Sequence, residues 1–345
     1  MRLSEFAYEL PERLIAQEPV ALRDASRMLV INRAQRTWQD AQFADFPSFV
    51  QPNDAVVLNN TKVFPARLIG EKMVSAGRVE LFLIREREPG IWEALVKPAR
   101  RIGVGTKITF GASTLCAEVM QCLQEGVRIV KLQCEGLLEQ ELERVGETPL
   151  PPYIKRPGGS SPEDRKRYQT VYASRRGAIA APTAGLHFTS GILDEVSARQ
   201  ARLVEITLHV GYGTFEPIRV DEVDEHSVAP EHYEISQEAA TTINQSRAGG
   251  GRVVAIGTTT ARALESAVDD AGRVQPRNDF TRLTIRPGYR FRAVAALLTN
   301  FHLPESSLLV LVAALAGRDL VLQAYRHAVA AEYRFYSYGD CMLII

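Results

Sequence analysis

The sequence predicts an α/β fold: a three-layer α/β domain with a mostly parallel sheet, interrupted by an inserted small antiparallel β-barrel domain. One observation is that short apolar runs alternate with segments of helical period, as in a sheet that is buried on both faces. These runs are Met28–Asn32, Ala55–Leu58, Val253–Ile256 and Ala296–Thr299. The other is that residues 65–135 hold short segments of alternating polarity between glycines, which is typical of a small barrel.

The first 62 residues begin the predicted α/β domain. Leu10–Ala16 has the pattern of a short helix, with Pro11 tolerated in its first turn. The strand Ala55–Leu58 runs into the polar loop 59–62. The barrel strands expected after Pro65 are Val79–Arg85, Trp92–Val96, Lys107–Phe110, Leu115–Met120 and Val127–Leu132. We therefore expect an α/β domain at residues 1–62 and 149–345, and an inserted barrel domain at 63–148.

A basic segment follows a predicted helix at Gly136–Arg144 and a stiff proline-rich connector at residues 149–152. Its cations are Lys155, Arg156, Arg165, Lys166, Arg167, Arg175 and Arg176, and the acidic residues among them are Glu163 and Asp164. Two interpretations stay open. The segment is either a solvated mobile loop or a patch that contacts phosphates.

Residues 177–189 form the stretch around which the rest is organised. Ala178–Ala181 is small and apolar, as expected of a buried strand, and Pro182 ends it because proline has no N–H for a ladder. Thr183–Gly185 then forms a turn, and a cap at residue 189 or 190 begins a helix. His187 therefore lies in a strand-to-helix loop, where open α/β sheets bind ligands.

Three later segments repeat the pattern of a strand followed by polar residues. The strand Leu203–Val210, after a helix at Ile192–Arg202, alternates cleanly and carries His209 near its end. The loop 211–214 is no dinucleotide fingerprint, because its third glycine position is Glu216. The turn 257–260, between a strand and the helix Ala261–Val268, is either an anion site or an ordinary capped turn.

The chain ends with elements of the same kind. Residues 300–304 follow a strand and contain His302, and the apolar run Leu308–Ala316 is predicted to be a buried helix because it is far too short to span a membrane. Tyr336–Ile345 is a terminal strand or tail. Half of the six histidines thus stand at strand ends in one domain, which favours a function for them.

Composition excludes several classes of protein. The 345-residue chain has 41 basic and 41 acidic residues, so a nucleic-acid partner requires a local basic patch. The four cysteines show no paired spacing, and we expect free thiols in a reducing compartment rather than disulfides or a zinc site. Met1–Arg13 lacks the apolar core of a signal peptide. A cytoplasmic location without a membrane follows.

Nine short motifs occur in order along the chain. They are NTKV (60–63), PARL (65–68), LPPYI (150–154), YQTVYA (168–173), APTAGLHF (181–188), TLHVG (207–211), GTT (257–259), TNFHLP (299–304) and SYGD (337–340). Together they resemble the S-adenosylmethionine:tRNA ribosyltransferase-isomerase family of the queuosine pathway. The resemblance runs from Leu10 to the C-terminus and implies an α/β domain interrupted by a β-barrel.

The resemblance also implies the reaction. The ribosyl part of S-adenosylmethionine is transferred to 7-aminomethyl-7-deazaguanine at the tRNA wobble position and isomerised, giving epoxyqueuosine-tRNA, adenine and L-methionine. S-Adenosylmethionine is then a consumed co-substrate; no true cofactor, metal or obligate protein partner is implied, and a monomer is expected. The sequence departs from the family pattern at Asn60, where aspartate is usual, at Ala229, where histidine is usual, and at Ala295, where aspartate is usual.

The chemistry selects candidate residues. The sulfonium acidifies the 5′ carbon, adenine leaves better when protonated, and the attacking amine must lose a proton, so histidines suit the site. We assign proton transfer to His187 and His209, with His302 and Glu231 in reserve. Candidate substrate-binding residues are Thr183, Gly185, Phe188, Tyr212, Thr258, Thr259, Arg262 and Asn300. Candidate tRNA-binding residues are Lys62, Arg67, Lys155, Arg156, Arg165, Lys166 and Arg167.

Within the substrate set, Arg262 or the Thr258–Thr259 loop would hold the methionine carboxylate. Phe188, Tyr212 and Tyr289 would wall the adenine. Two alternatives remain: a catalytically inactive tRNA-binding homologue, and a methyltransferase that uses the same co-substrate. The missing glycine fingerprint counts against the methyltransferase.

Overall fold

The computed structural model describes residues 1–211 and 220–345. In this part of the chain the strands are β1 (Arg27–Asn32), β2 (Thr37–Gln42), β3 (Ala55–Asn59), β4 (Thr61–Val63), β5 (Arg67–Lys72), β6 (Arg78–Glu88), β7 (Ile91–Lys97), β8 (Lys107–Thr109), β9 (Cys116–Cys122), β10 (Val127–Gln133), β11 (Arg175–Ala178), β12 (Arg202–Leu208), β13 (Glu231–Ile235), β14 (Val253–Ile256), β15 (Arg277–Thr281), β16 (Ala296–Asn300) and β17 (Cys341–Ile344). The α-helices are α1 (Leu138–Val145), α2 (Pro162–Arg167), α3 (Ser190–Ala198), α4 (Gln237–Ala248), α5 (Thr258–Ser266), α6 (Ser307–Ala316) and α7 (Arg318–Ala330).

One large sheet organises the α/β part. Its strand order is β15-β13-β12-β3-β14-β16-β17-β1-β2. The pairs β12–β3, β3–β14 and β14–β16 are parallel, as is β17–β1. The remaining pairs in this sheet are antiparallel. The predicted α/β class is confirmed, but parallel pairing covers only the centre and the β17–β1 pair.

Alternating side chains cover both faces of this sheet. In β3, Ala55 and Val57 belong to one apolar cluster, and Val56 and Leu58 to another on the opposite face. Helices α4 to α7 pack in the first cluster, and α3 packs in the second with a 3-10 helix at Phe43–Phe49. This period-two division produces the three layers that the sequence predicts.

Helix α6 is apolar on all sides because it is enclosed by the first cluster. Gly317, at φ +90°, separates it from α7. In the described residues no single helix is long and apolar enough to cross a membrane; α6 and α7 reach that limit only as a pair, which is bent by 116°.

The barrel is closed, with strand order β10-β7-β6-β5-β8-β9, and the prediction of an antiparallel barrel is confirmed. A separate apolar cluster fills it, and Gly70 fits there because a Cβ would lie 2.5 Å from the Thr109 carbonyl oxygen. Its strands run from Arg67 to Gln133. The domain boundaries at 62/63 and 148/149 stay a prediction.

Several predicted elements are wrong in extent. Ala178–Ala181 is no strand of the large sheet: β11 ends at Ala178 and pairs with β4 in a two-stranded sheet. Leu10–Ala16 contains only a 3-10 turn at Glu12–Leu14. The helix predicted over Ile192–Arg202 is α3, which ends at Ala198 because Arg202 already pairs in β12. The cap at Thr189 is confirmed, since its hydroxyl accepts from the backbone N–H of Ile192.

Candidate active site

A cavity of about 360 Å³ opens beyond the carboxyl ends of β14 and β16. This volume lies in the range of ligand cavities, and its position is where parallel sheets bind substrates. Its polar side chains include those of Thr183, Thr258, Thr259, Asn300, His302 and Ser337, with Thr299, Glu305, Ser306 and Ser307 on the same wall, and its aromatic ones are Tyr153, Tyr168, Phe301 and Tyr336. Five residues that the sequence predicts for the site are therefore brought together, and the other predicted residues that the structure describes lie elsewhere.

The first polar wall is the N-terminus of α5. Gly257 precedes the helix at φ +95°, a backbone angle that favours glycine, and Thr258 and Thr259 begin it. The first backbone N–H groups of a helix lack intrahelical partners and attract anions. This wall therefore suits a carboxylate or phosphate.

The second polar wall carries His302, which is 8% exposed. Its Nε2 lies 2.8 Å from the Thr299 hydroxyl, and its backbone N–H donates to the Tyr325 hydroxyl at 3.1 Å. Burial lowers the pKa of His302 from its ordinary 6.5 to about 3. The ring is therefore neutral at neutral pH and able to accept a proton.

His187 is placed behind the cavity wall rather than on it. Its Nδ1 lies 2.7 Å from the hydroxyl of the buried Ser26, and its ring packs 5.3 Å from Phe43. Burial lowers its pKa to about 4, partly offset by the Asn300 side chain. Asn300 lines the cavity and donates to the Tyr336 carbonyl at 2.9 Å, whereas within the described residues Nε2 of His187 and Oδ1 of Asn300 are both buried without a hydrogen-bond partner.

His209 also lies just outside the cavity, whose wall includes its neighbour Val210. Its Nδ1 is 2.8 Å from the Thr61 hydroxyl, and its ring stacks on His232 with centroids 5.7 Å apart. Burial, followed by the nearby His232 and Arg175, lowers its pKa to about 4. The predicted joint convergence of residues 187 and 209 on the cavity is not what the structure shows.

Replacing Gly177 with alanine is expected to destabilise the protein by about 1–3 kcal/mol, since a new methyl would overpack this site. Gly177 is at φ +153°, and a Cβ there would lie 2.7 Å from Cε1 of His209. Urea unfolding at pH 7.5 measures the loss. The matched control is Gly103→Ala, where a Cβ meets nothing within 4 Å. An equal loss of unfolding free energy in both variants would contradict the close contact between residue 177 and the His209 ring.

Glu231 and Arg262 form a buried ion pair beside the cavity. Glu231 also accepts from the Gly211 backbone N–H at 2.9 Å, and Arg262 donates to the Leu283 carbonyl at 2.9 Å. They line a small space of about 40 Å³ that shares Ser307 and Leu308 with the main cavity. Within residues 1–211 and 220–345, Nη2 of Arg262 is buried without a hydrogen-bond partner.

Besides Arg262, two predicted substrate-binding residues within the described part of the chain are not on the main cavity wall. Phe188 is fully buried between Phe43 and Phe46, at centroid distances of 5.0 and 5.4 Å, so it is a core residue. Gly185 is required by the close approach of the Tyr172 hydroxyl, 2.1 Å from where a Cβ would stand, not by an unusual φ. Tyr212 lies outside the described residues.

The aromatic residues of the cavity were missed. Tyr289, which was expected at the adenine, instead packs on Phe291 and donates to Glu265. The observed rings include Tyr153, whose hydroxyl lies 2.5 Å from Ser337 Oγ. Burial raises the pKa of Tyr153, so it stays neutral. The signal was present, since Tyr153 and Ser337 stand in two of the nine motifs.

Most cations of the basic segment have partners from other parts of the chain. Arg156 pairs with Asp164 at 2.9 Å and with Glu18 at 3.0 Å. Arg165 donates to the carbonyls of residues 143 and 146, and Arg167 to those of residues 20 and 21. These arginines join elements together, and the patch available to phosphates is smaller than predicted.

The other predicted phosphate contacts divide in the same way. Lys155 pairs with Glu12 at 2.8 Å, and Arg67 pairs with Glu80 at 2.9 Å. Lys62 and Lys166 are exposed, and within residues 1–211 and 220–345 neither has a carboxylate within 4.0 Å. Of the predicted tRNA-binding residues, these two lysines are the most available to contact a phosphate.

Asn60 is matched to its surroundings. Its amide donates to Glu205 at 3.0 Å and accepts from the Thr207 hydroxyl at 2.7 Å. An aspartate at this position would set a carboxylate against Glu205, since it has no donor. Ala229 lines only the smaller space, and Ala295 is not on the main cavity wall.

A cavity at the ends of parallel strands, with a helix N-terminus and a buried neutral histidine on its walls, defines a small-molecule-binding enzyme of the α/β class. A family profile described as queuosine biosynthesis protein matches residues 3–344. The chain is 48% identical to the S-adenosylmethionine:tRNA ribosyltransferase-isomerase of Pelotomaculum thermopropionicum and 49% identical to that of Symbiobacterium thermophilum, over 100% of each chain.

A solved structure of S-adenosylmethionine tRNA ribosyltransferase from Thermotoga maritima is also similar. It is 35% identical, has a TM-score of 0.57, and the match covers 99% of this chain and 100% of that one. The chain therefore belongs to the S-adenosylmethionine:tRNA ribosyltransferase-isomerase family of queuosine biosynthesis. In its described residues no group of three metal-ligating side chains converges.

Proposed function

We propose that this protein transfers and isomerises the ribosyl part of S-adenosylmethionine onto 7-aminomethyl-7-deazaguanine at the tRNA wobble position, releasing adenine and L-methionine. The observation that carries the proposal is the cavity of about 360 Å³, which combines an anion-attracting helix N-terminus, aromatic walls and a neutral histidine. These are the features that a sulfonium nucleoside with a carboxylate requires. The reaction takes place in the cytoplasm and needs no metal in this proposal.

In the proposed mechanism His302 takes the proton, because it is the histidine that lines the cavity. Burial keeps this ring unprotonated at working pH, and we assign it as the base toward the 5′ carbon or the attacking amine because of its place on the cavity wall. Asn300 presents its amide to the substrate, and we assign His187, which lies behind the wall and interacts electrostatically with Asn300, to positioning it. His187 is then a positioning residue.

The same geometry supports roles for the remaining residues. Thr258 and Thr259 bind the methionine carboxylate, with Nη2 of Arg262 next to them across Ser307. Glu231 holds Arg262 in place rather than acting on the substrate. Tyr153 and Tyr336, whose ring centroids are 3.9 Å apart, contact the adenine in place of the aromatic residues expected from the sequence.

A product assay tests the function. The full-length protein is incubated with S-adenosylmethionine and tRNA carrying the modified base, and small molecules are quantified by mass spectrometry. Adenine and methionine in equal amounts are the expected products. S-Adenosylhomocysteine would indicate a methyltransferase, and tRNA binding without adenine release would indicate an inactive homologue.

Reversing the charge of Lys62 and Lys166 together is expected to weaken tRNA binding. Each lost phosphate contact should reduce the slope of log affinity against log salt by about 1, because fewer counterions are released. Binding at several salt concentrations measures the slope. Lys131→Glu, at an exposed position of the otherwise mostly buried strand β10 of the barrel, is the control. An unchanged slope in the double variant would leave these lysines as ordinary solvated side chains.

A further inference from the structure

Three aromatic rings form a row on the sheet edge, outside the main cavity. His209 stacks on His232 with centroids 5.7 Å apart, and His232 meets Phe280 edge-to-face at 5.3 Å. They belong to neighbouring antiparallel strands, because His232 is the direct partner of Phe280 and its carbonyl accepts from the His209 N–H. We call these three residues the aromatic row.

The aromatic row is held in place but open to solvent. Nε2 of His232 lies 2.7 Å from Oδ1 of Asn278, which fixes the ring. Phe280 is 52% exposed, and it is the one aromatic among the large hydrophobic side chains that the described part of the chain exposes. Phe280 therefore offers an exposed aromatic face at the outer end of the row, and this face is available to a partner.

This row begins at the wall of the cavity. Val210, next to His209 in the chain, lines the cavity, and so does Ala180, three residues after the Gly177 that packs on the His209 ring. His209 directly follows the last residue of β12, so the row lies at the same carboxyl end of the sheet as the cavity.

We propose that Phe280 and His232 stack against an unpaired nucleobase of the anticodon loop, next to the target base. This rests on the proposed function, because it requires tRNA as the substrate. A target base that enters the cavity leaves its own stack, so its neighbour loses a stacking partner, and an aromatic ring replaces it. Stacking of this kind is tolerant of sequence, since every base has a π face.

Charges on this face agree with a contact through the base rather than through the phosphate alone. Arg175 is 64% exposed and only loosely paired, 3.9 Å from Glu234, so it can reach a phosphate. By strand alternation Glu205 and Glu234 lie on the same face, so this face carries two negative charges against the one positive charge of Arg175. Stacking on Phe280 therefore supplies the affinity, and Arg175 supplies orientation.

The test uses the full chain with modified-base tRNA and measures adenine release. Phe280→Ala is expected to raise the KM for tRNA by about 5- to 100-fold, the range for loss of one base stack. The KM for S-adenosylmethionine should stay within twofold. Phe280→Trp should retain the wild-type KM and Phe280→Leu should not, because leucine keeps the apolar area without a π face. Met120→Ala, a 48% exposed strand residue of the barrel, is the matched control.

A second measurement separates this proposal from the function itself. An anticodon stem-loop with 2-aminopurine beside the target base should show fluorescence quenching on the wild type and on Phe280→Trp, and none on Phe280→Ala. Quenching that persists in Phe280→Ala, or a leucine variant equal to wild type in KM, overturns the stacking site. Absence of adenine release by the wild-type protein overturns the proposed function, and the fluorescence result then still decides the stacking site.

Discussion

Replacing His302 with alanine is expected to lower kcat for adenine release by about 100- to 10,000-fold, the range for loss of a positioned general base. His302 lines the cavity, is 8% exposed, and is kept neutral by a pKa of about 3. No other histidine in the described residues lines that cavity. The loss should therefore fall on kcat, with the KM for S-adenosylmethionine changed much less.

The glutamine variant separates a chemical role from a structural one. His302→Gln keeps a hydrogen-bonding group beside the Thr299 hydroxyl but cannot take a proton at working pH. We expect it to fold like the wild type and to remain at least 100-fold slow. His327→Ala, which removes a partly exposed histidine paired with Asp40, is the control. Wild-type turnover by His302→Gln would remove His302 from proton transfer.

Acidification from pH 7.5 to pH 5.0 is expected to lower the free energy of unfolding by about 4 kcal/mol through His187 and His302. Their pKa values are about 4 and about 3 in the folded protein, against an ordinary 6.5. Between these limits the unfolded chain binds protons that the folded protein does not, so stability rises with pH. It is fully present above about pH 6.5 and is lost as the pH falls toward the folded values.

At pH 5.0 each histidine accounts for about 2 kcal/mol, that is 1.5 pH units below 6.5 at 1.36 kcal/mol per unit. Carboxyl groups with lowered pKa, such as Asp164, lose their contribution only at lower pH. Urea unfolding at the two pH values measures the change. His187→Gln should reduce the pH dependence by its own share of about 2 kcal/mol, and His209, whose pKa is also lowered to about 4, contributes in the same direction. Equal stability of the wild type at both values would contradict the burial of these rings.

The buried strands were predictable because their composition is dictated by their surroundings. Segments such as 55–58 and 253–256 must be apolar on both faces of the sheet, and that requirement is written in the local pattern. Edge strands do not have to be apolar on both faces. Strand β15 is exposed along most of its length and β2 along most of one face, so neither needs an apolar pattern.

The site was only partly predictable for a related reason. Thr258, Asn300 and His302 were found because polar residues directly after a buried strand are exposed at its end. His187 was placed in the right loop, but the direction of its side chain depends on Ser26 and Asn300, which are far away in the chain. Tyr153 and Ser337 are 184 positions apart, and no local pattern joins them.

By itself the sequence determined the α/β class, the barrel and the family, because hydrophobic period and ordered motifs are properties of neighbouring residues. Only the tertiary structure decided which polar groups share the cavity. It also showed that most cations of the basic segment bind carboxylates or carbonyls within the protein. The physical reason is that a carboxylate or a carbonyl from any distant segment can satisfy an arginine, so the count of nearby charges does not tell which cations remain free.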